Sequence, residues 1–314
     1  MKKIFFAVVA LAAMSSCAKE NTVMEAPRQA IAFGDVFVDN ATRVDYSNAN
    51  ALQGFTVYGT VSSTLNGGGT VALFGGDGAT VTRGTADYGQ AWSYTETEHW
   101  IPGANYQFAA VVDATASVEG GLPTTLTTVA DNDMNLKDML YAVNSVTSAA
   151  ADQGIVKFTF SHLLSKVKFT VTSTAQGNYY HNVTGIKVSN FETGTYTING
   201  GTWAGDTAKD VEFANIEEVT STDTNGLSNA DMLLVPNAAK FNVTFTVELW
   251  NSKGTDDTAD DIMYGTETKT IGVDTDLVKG NAYNFTIACA VGNAIQFSVN
   301  NDPAWGTQTD VAIP

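Results

Sequence analysis

The stretch that decides the fold runs from Ile155 to Val171 and reads IVKFTFSHLLSKVKFTV. Its first half alternates with polar residues as a half-buried β-strand does; the alternating set is Val156, Phe158, Phe160, His162 and Leu164. The second half alternates one position out of phase, with its apolar set at Val167, Phe169 and Val171. A slip of one residue turns every side chain to the other face of a sheet.

The same stretch is too long for a single strand. Its seventeen residues would extend to about 55 Å at about 3.3 Å per residue, whereas an ordinary strand has about five or six residues. We therefore predict two strands that meet between His162 and Lys166. The break is either a β-bulge or the passage from one β-sandwich into a second.

Composition indicates a folded, acidic protein. The 314 residues predict about two domains, and 44% hydrophobic residues with 10% aromatics suffice for two buried cores. The formal charge is −17, and it becomes more negative if Lys2 and Lys3 leave with a signal peptide. Such a surface repels phosphate backbones, so we expect no nucleic-acid partner.

All-β is the expected fold class. Thr, Gly, Val and Asn are abundant, and apolar alternation recurs between turns rich in Gly, Asn and Asp. The clearest alternation covers Phe241 to Leu249, and Ala30 to Val38 is a strand candidate near the N-terminus. Asn135 to Val143 is the exception, because its apolar spacing predicts a short helix.

The first seventeen residues have the pattern of an export signal. Lys2 and Lys3 give a positive start, residues 4–14 form an apolar segment too short to span a bilayer, and two serines precede Cys17. This arrangement resembles a bacterial lipoprotein signal, which implies that Cys17 is acylated and anchors the precursor in the outer membrane. An ordinary secretory signal with an incidental cysteine is the alternative.

Cys289 is the second of two cysteines in the chain. If Cys17 carries lipid, no intrachain disulfide can form. Cys289 is in phase with the apolar residues Tyr283, Phe285 and Ile287. We therefore expect a buried and unreactive thiol.

No motif points to catalysis. His99, His162 and His181 lie far apart, and none has a second ligand at the spacing of a metal site. We interpret His162 as a hydrogen-bonded core or bulge residue, because a buried imidazole needs a partner. The acidic run from Asp256 to Asp261 lacks the residue order of a calcium loop, so we expect a solvated hairpin loop there. We expect no enzyme, cofactor or metal.

Six short motifs, taken with the export signal, carry a family resemblance. They are Phe160-x-His162-Leu-Leu-Ser-Lys166-x-x-Phe169; Thr42-Arg43; Lys137-Asp-Met-Leu-Tyr-Ala142; Leu233-Leu-Val-Pro236; Gly280-x-x-Tyr283-x-Phe285; and Ile295-x-Phe297 with Trp305. In this order they resemble the fimbrillin family, which comprises lipoprotein-derived pilins and pilus-associated adhesins that polymerise by strand exchange.

The resemblance implies two transthyretin-like β-sandwich domains, at residues 18–160 and 161–314, after a signal peptide at residues 1–17. It also implies cleavage after Arg43, so that the mature chain begins at Val44 and loses the strand at about 30–38. A neighbouring subunit would fill the vacated groove with a donor strand. The donor candidates are the C-terminal residues Ile295, Phe297, Val299, Val311 and Ile313.

The resulting hypothesis is a structural and adhesive subunit of a cell-surface fimbria, with other pilus subunits as partners and a host or bacterial surface ligand. The alternative is a monomeric surface lipoprotein that binds glycan through Trp92, Trp100 and Trp203, although these residues also fit core or turn positions. A secreted hydrolase is a third interpretation, which no motif supports. Stalk, tip and anchor subunits share one fold, so the subunit role stays open.

Overall fold

The computed structural model describes residues 29–38, 52–64, 67–84, 92–95, 97–131, 135–237, 239–292, 295–302 and 309–311. These residues form β-strands, two short 3-10 turns at Phe74–Gly76 and Thr258–Asp260, and connecting loops. The described part contains no α-helix, and thus no helix long and apolar enough to cross a membrane. The predicted all-β fold class is confirmed.

The strands follow one another in chain order as β1 (Phe33–Val38), β2 (Gly54–Ser62), β3 (Thr70–Ala72), β4 (Ala79–Arg83), β5 (Trp92–Ser93), β6 (Asn105–Val112), β7 (Ala114–Glu119), β8 (Leu122–Thr128), β9 (Leu140–Val146), β10 (Val156–His162), β11 (Ser165–Ser173), β12 (Tyr179–Phe191), β13 (Gly194–Thr197), β14 (Thr202–Gly205), β15 (Ala208–Glu212), β16 (Ile216–Val219), β17 (Leu227–Ser228), β18 (Met232–Leu234), β19 (Phe241–Asn251), β20 (Ile262–Val273), β21 (Ala282–Cys289), β22 (Gln296–Asp302) and β23 (Thr309–Val311).

The first half of the chain forms a sheet of eight strands. Their order is β1-β10-β9-β6-β2-β4-β5, and β3 lies beside β2. Inward-facing residues of these strands and of the loops between them make one core, rich in aromatic rings, which we call the N-terminal core. Its fully buried members include Phe108, Phe158 and Phe160.

The predicted break in the central stretch is a change of sheet. β10 ends at His162 in the first sheet, and β11 begins at Ser165 in a second sheet, where it runs parallel to β21. Leu163 and Leu164, between the two strands, are buried. The one-residue slip in apolar phase thus marks the point where the chain leaves one core and enters the next.

The second half of the chain contributes two sheets that enclose the C-terminal core. One has the order β17-β11-β21-β22-β23 with β18 beside β11, and the other has the order β15-β12-β19-β20 with β16 beside β12. Phe169, Phe245 and Phe285 are fully buried between them. Cys289 is 2% exposed in this core, which confirms the expected buried residue, and its burial raises the pKa of the thiol to about 12.

A small sheet joins the two halves. β8 from the first half pairs with β13 from the second, and β7 and β14 complete the sheet in the order β14-β13-β8-β7. Tyr196 and Leu233 from the second half pack with Leu126 and Met139 from the first in a third apolar cluster. The division at residue 160 stays a prediction, because this sheet mixes strands from both sides of it.

The helix predicted for residues 135–143 is wrong. Leu140 to Val146 is strand β9, which pairs with β6 and with β10 in the middle of the first sheet. Leu140 and Ala142 face the N-terminal core. The local apolar spacing fits a helix, but strand pairing on both sides decides the conformation.

Candidate functional site

The segment from Gln29 to Val38 closes the N-terminal core at one edge. β1 runs parallel to β10, with Phe33 opposite Val156 and Val38 opposite Phe160. The residues just before β1 form an antiparallel bridge to another segment, in which Ala30 lies opposite His99. The segment therefore lies between two parts of the chain that follow it by about 70 and 120 residues.

Phe33 is the central side chain of this segment. It is 4% exposed, and its ring centroid lies 5.3 to 6.2 Å from the centroids of five other rings. Those rings belong to Phe55, Phe74, Tyr94, Phe108 and Phe158. Ile31 and Val36 are buried in the same core, and Val38 packs against it. We call the segment at 29–38 the plug, because its apolar side chains fill a pocket lined by aromatic rings.

Backbone hydrogen bonds hold the same segment on both sides. The Ile31 amide donates to the Glu98 carbonyl at 2.8 Å, and the Val156 amide donates to the Ala32 carbonyl at 2.8 Å. The Tyr94 hydroxyl donates to the Ile31 carbonyl at 2.9 Å. If the segment left, these groups of the remaining chain would lose their partners at the border of an apolar cleft.

Tyr94 is a residue of the site that sequence reasoning did not single out. Its ring contacts Phe33, and its hydroxyl accepts a hydrogen bond from the Glu98 amide while it donates to Ile31. Burial raises the pKa of this hydroxyl. Tyr94 follows Trp92 by two residues, and this local spacing carries no signal of the contact with Phe33.

The predicted processing site lies outside the described residues, as do Cys17 and the signal peptide. Arg43 and Val44 fall between Val38 and Leu52, which both pack in the N-terminal core. A cut between these two residues would separate the segment at 29–38 from the rest of the chain while leaving β10 and the bridge residue His99 in place.

The donor-strand candidates divide into two groups. Ile295, Phe297 and Val299 pack in the C-terminal core of their own chain, and the Phe297 ring stacks on Phe285 with 5.7 Å between centroids. Val311 lies in β23, the last strand of that sheet, opposite Val299. Ile313 lies outside the described residues.

The three histidines occupy separate structural positions. His162 is buried, and its Nδ1 lies 2.9 Å from Asp138 Oδ1, so the interpretation as a hydrogen-bonded core residue is confirmed. His181 Nδ1 lies 2.8 Å from the Ser173 hydroxyl, and burial lowers the pKa of His181. In the described part of the chain, no group of three or more His, Cys, Asp or Glu residues is placed to hold a metal ion.

The acidic loop at Asp256–Asp261 is a 3-10 turn held by its own side chains. Asp257 caps the turn by accepting from the Ala259 amide at 3.0 Å, and Asp260 accepts from the Thr255 hydroxyl at 2.8 Å. Asp261 accepts a hydrogen bond from the Tyr180 hydroxyl. These carboxylates are therefore engaged in shaping an exposed loop between β19 and β20.

The tryptophans proposed for glycan binding are not presented to solvent as a group. Trp92 is 9% exposed, and Trp100 is 1% exposed beside Tyr106 in the N-terminal core. Trp203 is half-buried against Tyr196. The hypothesis that Trp92 and Trp100 form an exposed binding surface is wrong, because both side chains are buried in the N-terminal core.

The sequence matches the model of a family described as fimbrillin-like over residues 42–301, which is most of the chain. This protein belongs to the fimbrillin-like family. The family consists of structural proteins rather than enzymes. No curated protein matches the chain.

Two solved structures similar to this fimbrillin-like protein come from Bacteroides species. A fimbrial protein from Bacteroides vulgatus is 14% identical with a TM-score of 0.60, over 88% of this chain and 99% of that one. A candidate cell adhesion protein from Bacteroides uniformis is 17% identical with a TM-score of 0.51, over 89% of this chain and 98% of that one. At these identities the similarity shows the fold.

Proposed function

We propose that this fimbrillin-like protein is a structural and adhesive subunit of a cell-surface fimbria. It is exported as a lipoprotein through Cys17, cleaved after Arg43, and polymerised by exchange of a donor strand. Its partners are other subunits of the pilus. Family membership and the fimbrial and adhesion proteins of similar fold support the general role.

One observation carries the strand-exchange mechanism, namely the plug formed by the segment at 29–38. The segment lies at the edge of its sheet, and three of its side chains, Ile31, Phe33 and Val36, are buried. Because the chain between Val38 and Leu52 contains Arg43, a single cleavage converts this strand from part of the chain into a separate peptide. The pocket it leaves is apolar and bordered by unpaired backbone groups, which favours another strand over water.

The structure favours the end of the chain as the donor. Withdrawing β22 would remove Phe297 and Val299 from the C-terminal core, at a cost of several kcal/mol. Residues after Asp302 include β23, which has three residues and pairs with β22 alone among the described strands. We infer that residues 303–314 reach the neighbouring subunit while β22 stays in place.

The test is cleavage of the purified precursor by an Arg-specific protease. We expect a new N-terminus at Val44 and, with time, ladders of polymer that dissociate only on heating. Arg43→Ala should abolish both. Arg28→Ala is the matched control, because cleavage at Arg28 leaves the plug attached, so this variant should polymerise normally.

Two further variants locate the donor. Deletion of residues 303–314 should leave cleavage intact and stop polymerisation, whereas a peptide of residues 29–38 added in excess should slow it. Ladders that persist with Arg43→Ala would overturn cleavage as the trigger. A cleaved chain that stays monomeric would favour a capping subunit or the monomeric lipoprotein.

A further inference from the structure

β20 is a long strand at the edge of its sheet, as far as the described strands show. It has twelve residues and pairs with β19 alone among the strands that the structure describes. The strand at the opposite edge of the same sheet, β15, has five residues. Exposed edges of this length are sites of strand addition unless they carry features that prevent it.

Side chains along β20 form two rows. Glu267 and Lys269 point to one face and contact each other, with 2.5 Å between Oε1 and Nζ. Thr266, Thr268 and Thr270 point to the other face. There the hydroxyls of Thr270 and Thr268 lie 3.0 and 2.9 Å from the hydroxyls of the β19 threonines opposite them. Charged side chains that point inward on an edge strand usually discourage pairing with another strand. On β20, however, the charged side chains Glu267 and Lys269 have opposite signs and form one pair.

We propose that β20 is a self-association surface, which pairs antiparallel with β20 of a second copy of this chain about a two-fold axis at Thr268. In this register Glu267 of each copy lies opposite Lys269 of the other, and Thr266 lies opposite Thr270. Each carboxylate keeps the ammonium group of its own chain and gains one from the second copy. Opposite charges and Thr–Thr pairs are both favourable across antiparallel strands.

The charges select this register over its neighbours. Residues directly opposite each other in an antiparallel pair lie on the same face of the sheet. The residue of one β20 that lies opposite a given residue of the other can therefore change only in steps of two positions. One step in either direction places Glu267 opposite Glu267 or Lys269 opposite Lys269. A sequence that is complementary to itself in a single register is what an isologous contact requires.

The strand that pairs with the edge of β20 is therefore β20 of another copy rather than an unrelated strand. The association between the two copies is weak. One edge-to-edge contact buries less than the roughly 1,200 Å² of a stable interface. Where many copies are held together, on a membrane or in a polymer, such contacts add. The proposal does not depend on strand exchange, and the test uses the Arg43→Ala chain so that the two can fail separately.

The test is disulfide trapping at the two-fold axis. In the full chain with Arg43→Ala, Thr268→Cys should give an oxidised dimer that reductant reverses, because opposite Cα atoms lie about 4.5 to 5.5 Å apart. Thr266→Cys is the matched control, since the two copies of this residue would be about 13 Å apart. It should stay monomeric, and adding Thr270→Cys to it should restore the dimer.

Charge reversal tests the register independently. In the Thr268→Cys chain, Glu267→Lys or Lys269→Glu alone should reduce trapping about tenfold or more, because both cross-pairs become repulsive. A mixture of the two variants should recover trapping as a heterodimer. The parent chain without an added cysteine controls for Cys17 and Cys289. Equal trapping at positions 266 and 268, trapping unaffected by charge reversal, or monomer throughout would overturn the proposal.

Discussion

The role of Phe33 as the centre of the plug gives a direct test of the site. Phe33→Ala removes a ring that is 4% exposed and contacts five others. Truncating a buried Phe costs about 3 to 5 kcal/mol, and each favourable ring pair adds about 0.5 to 1.5 kcal/mol that is not additive. We therefore expect the uncleaved chain to lose about 4 to 5 kcal/mol of unfolding free energy.

Urea unfolding followed by tryptophan fluorescence measures this loss, because Trp92 and Trp100 lie in the same core as Phe33. The control is Val71→Ala in β3, where the side chain is 50% exposed and the expected change is within about 0.5 kcal/mol. After cleavage at Arg43 and loss of the plug, wild type and the Phe33 variant should have equal stability.

Two results would contradict the placement of Phe33 at the centre of the plug. A loss below about 1 kcal/mol in the uncleaved chain would mean that β1 contributes little to the core, and the proposed groove would not exist. A stability difference that survives cleavage would mean that the plug stays bound, so that no acceptor site opens for a neighbouring subunit.

Four further predictions concern other parts of the chain. Cys17→Ala should release the precursor from membranes and abolish palmitate labelling, whereas unchanged fractionation would exclude the lipoprotein anchor. Phe285→Ala should cost about 3 to 5 kcal/mol in urea unfolding, since this ring is fully buried. Burial lowers the pKa of His181, so the unfolded state takes up its proton first and stability should fall as pH drops below about 6.5; His181→Gln should flatten that dependence between pH 7.5 and 5.5. Asp138→Ala should cost about 1 to 3 kcal/mol, because it deprives the buried His162 of its carboxylate partner; an unchanged urea midpoint would contradict this.

Local sequence pattern is enough to recognise several strands and the point in the central stretch where one strand ends and the next begins. Alternation with a period of two depends only on the geometry of a pleated strand, so Phe241 to Leu249 was recognisable without any partner. The one-residue slip in apolar phase near His162 is also visible in the local sequence, because each half of the stretch must turn its apolar side toward its own core. The motifs that resemble fimbrillins were also visible as short, contiguous patterns.

Tertiary structure alone decided which strands pair and which segment fills the pocket. Residues 135–143 have helical spacing, yet β6 and β10 hold Leu140 to Val146 as a strand, and no local pattern contains those partners. Phe33 contacts Phe158 across 125 positions of sequence, and Tyr94 meets the same ring only after folding. Strand partners are chosen by burial over long separations, so the plug and its pocket exist only once both ends of the first sheet have come together.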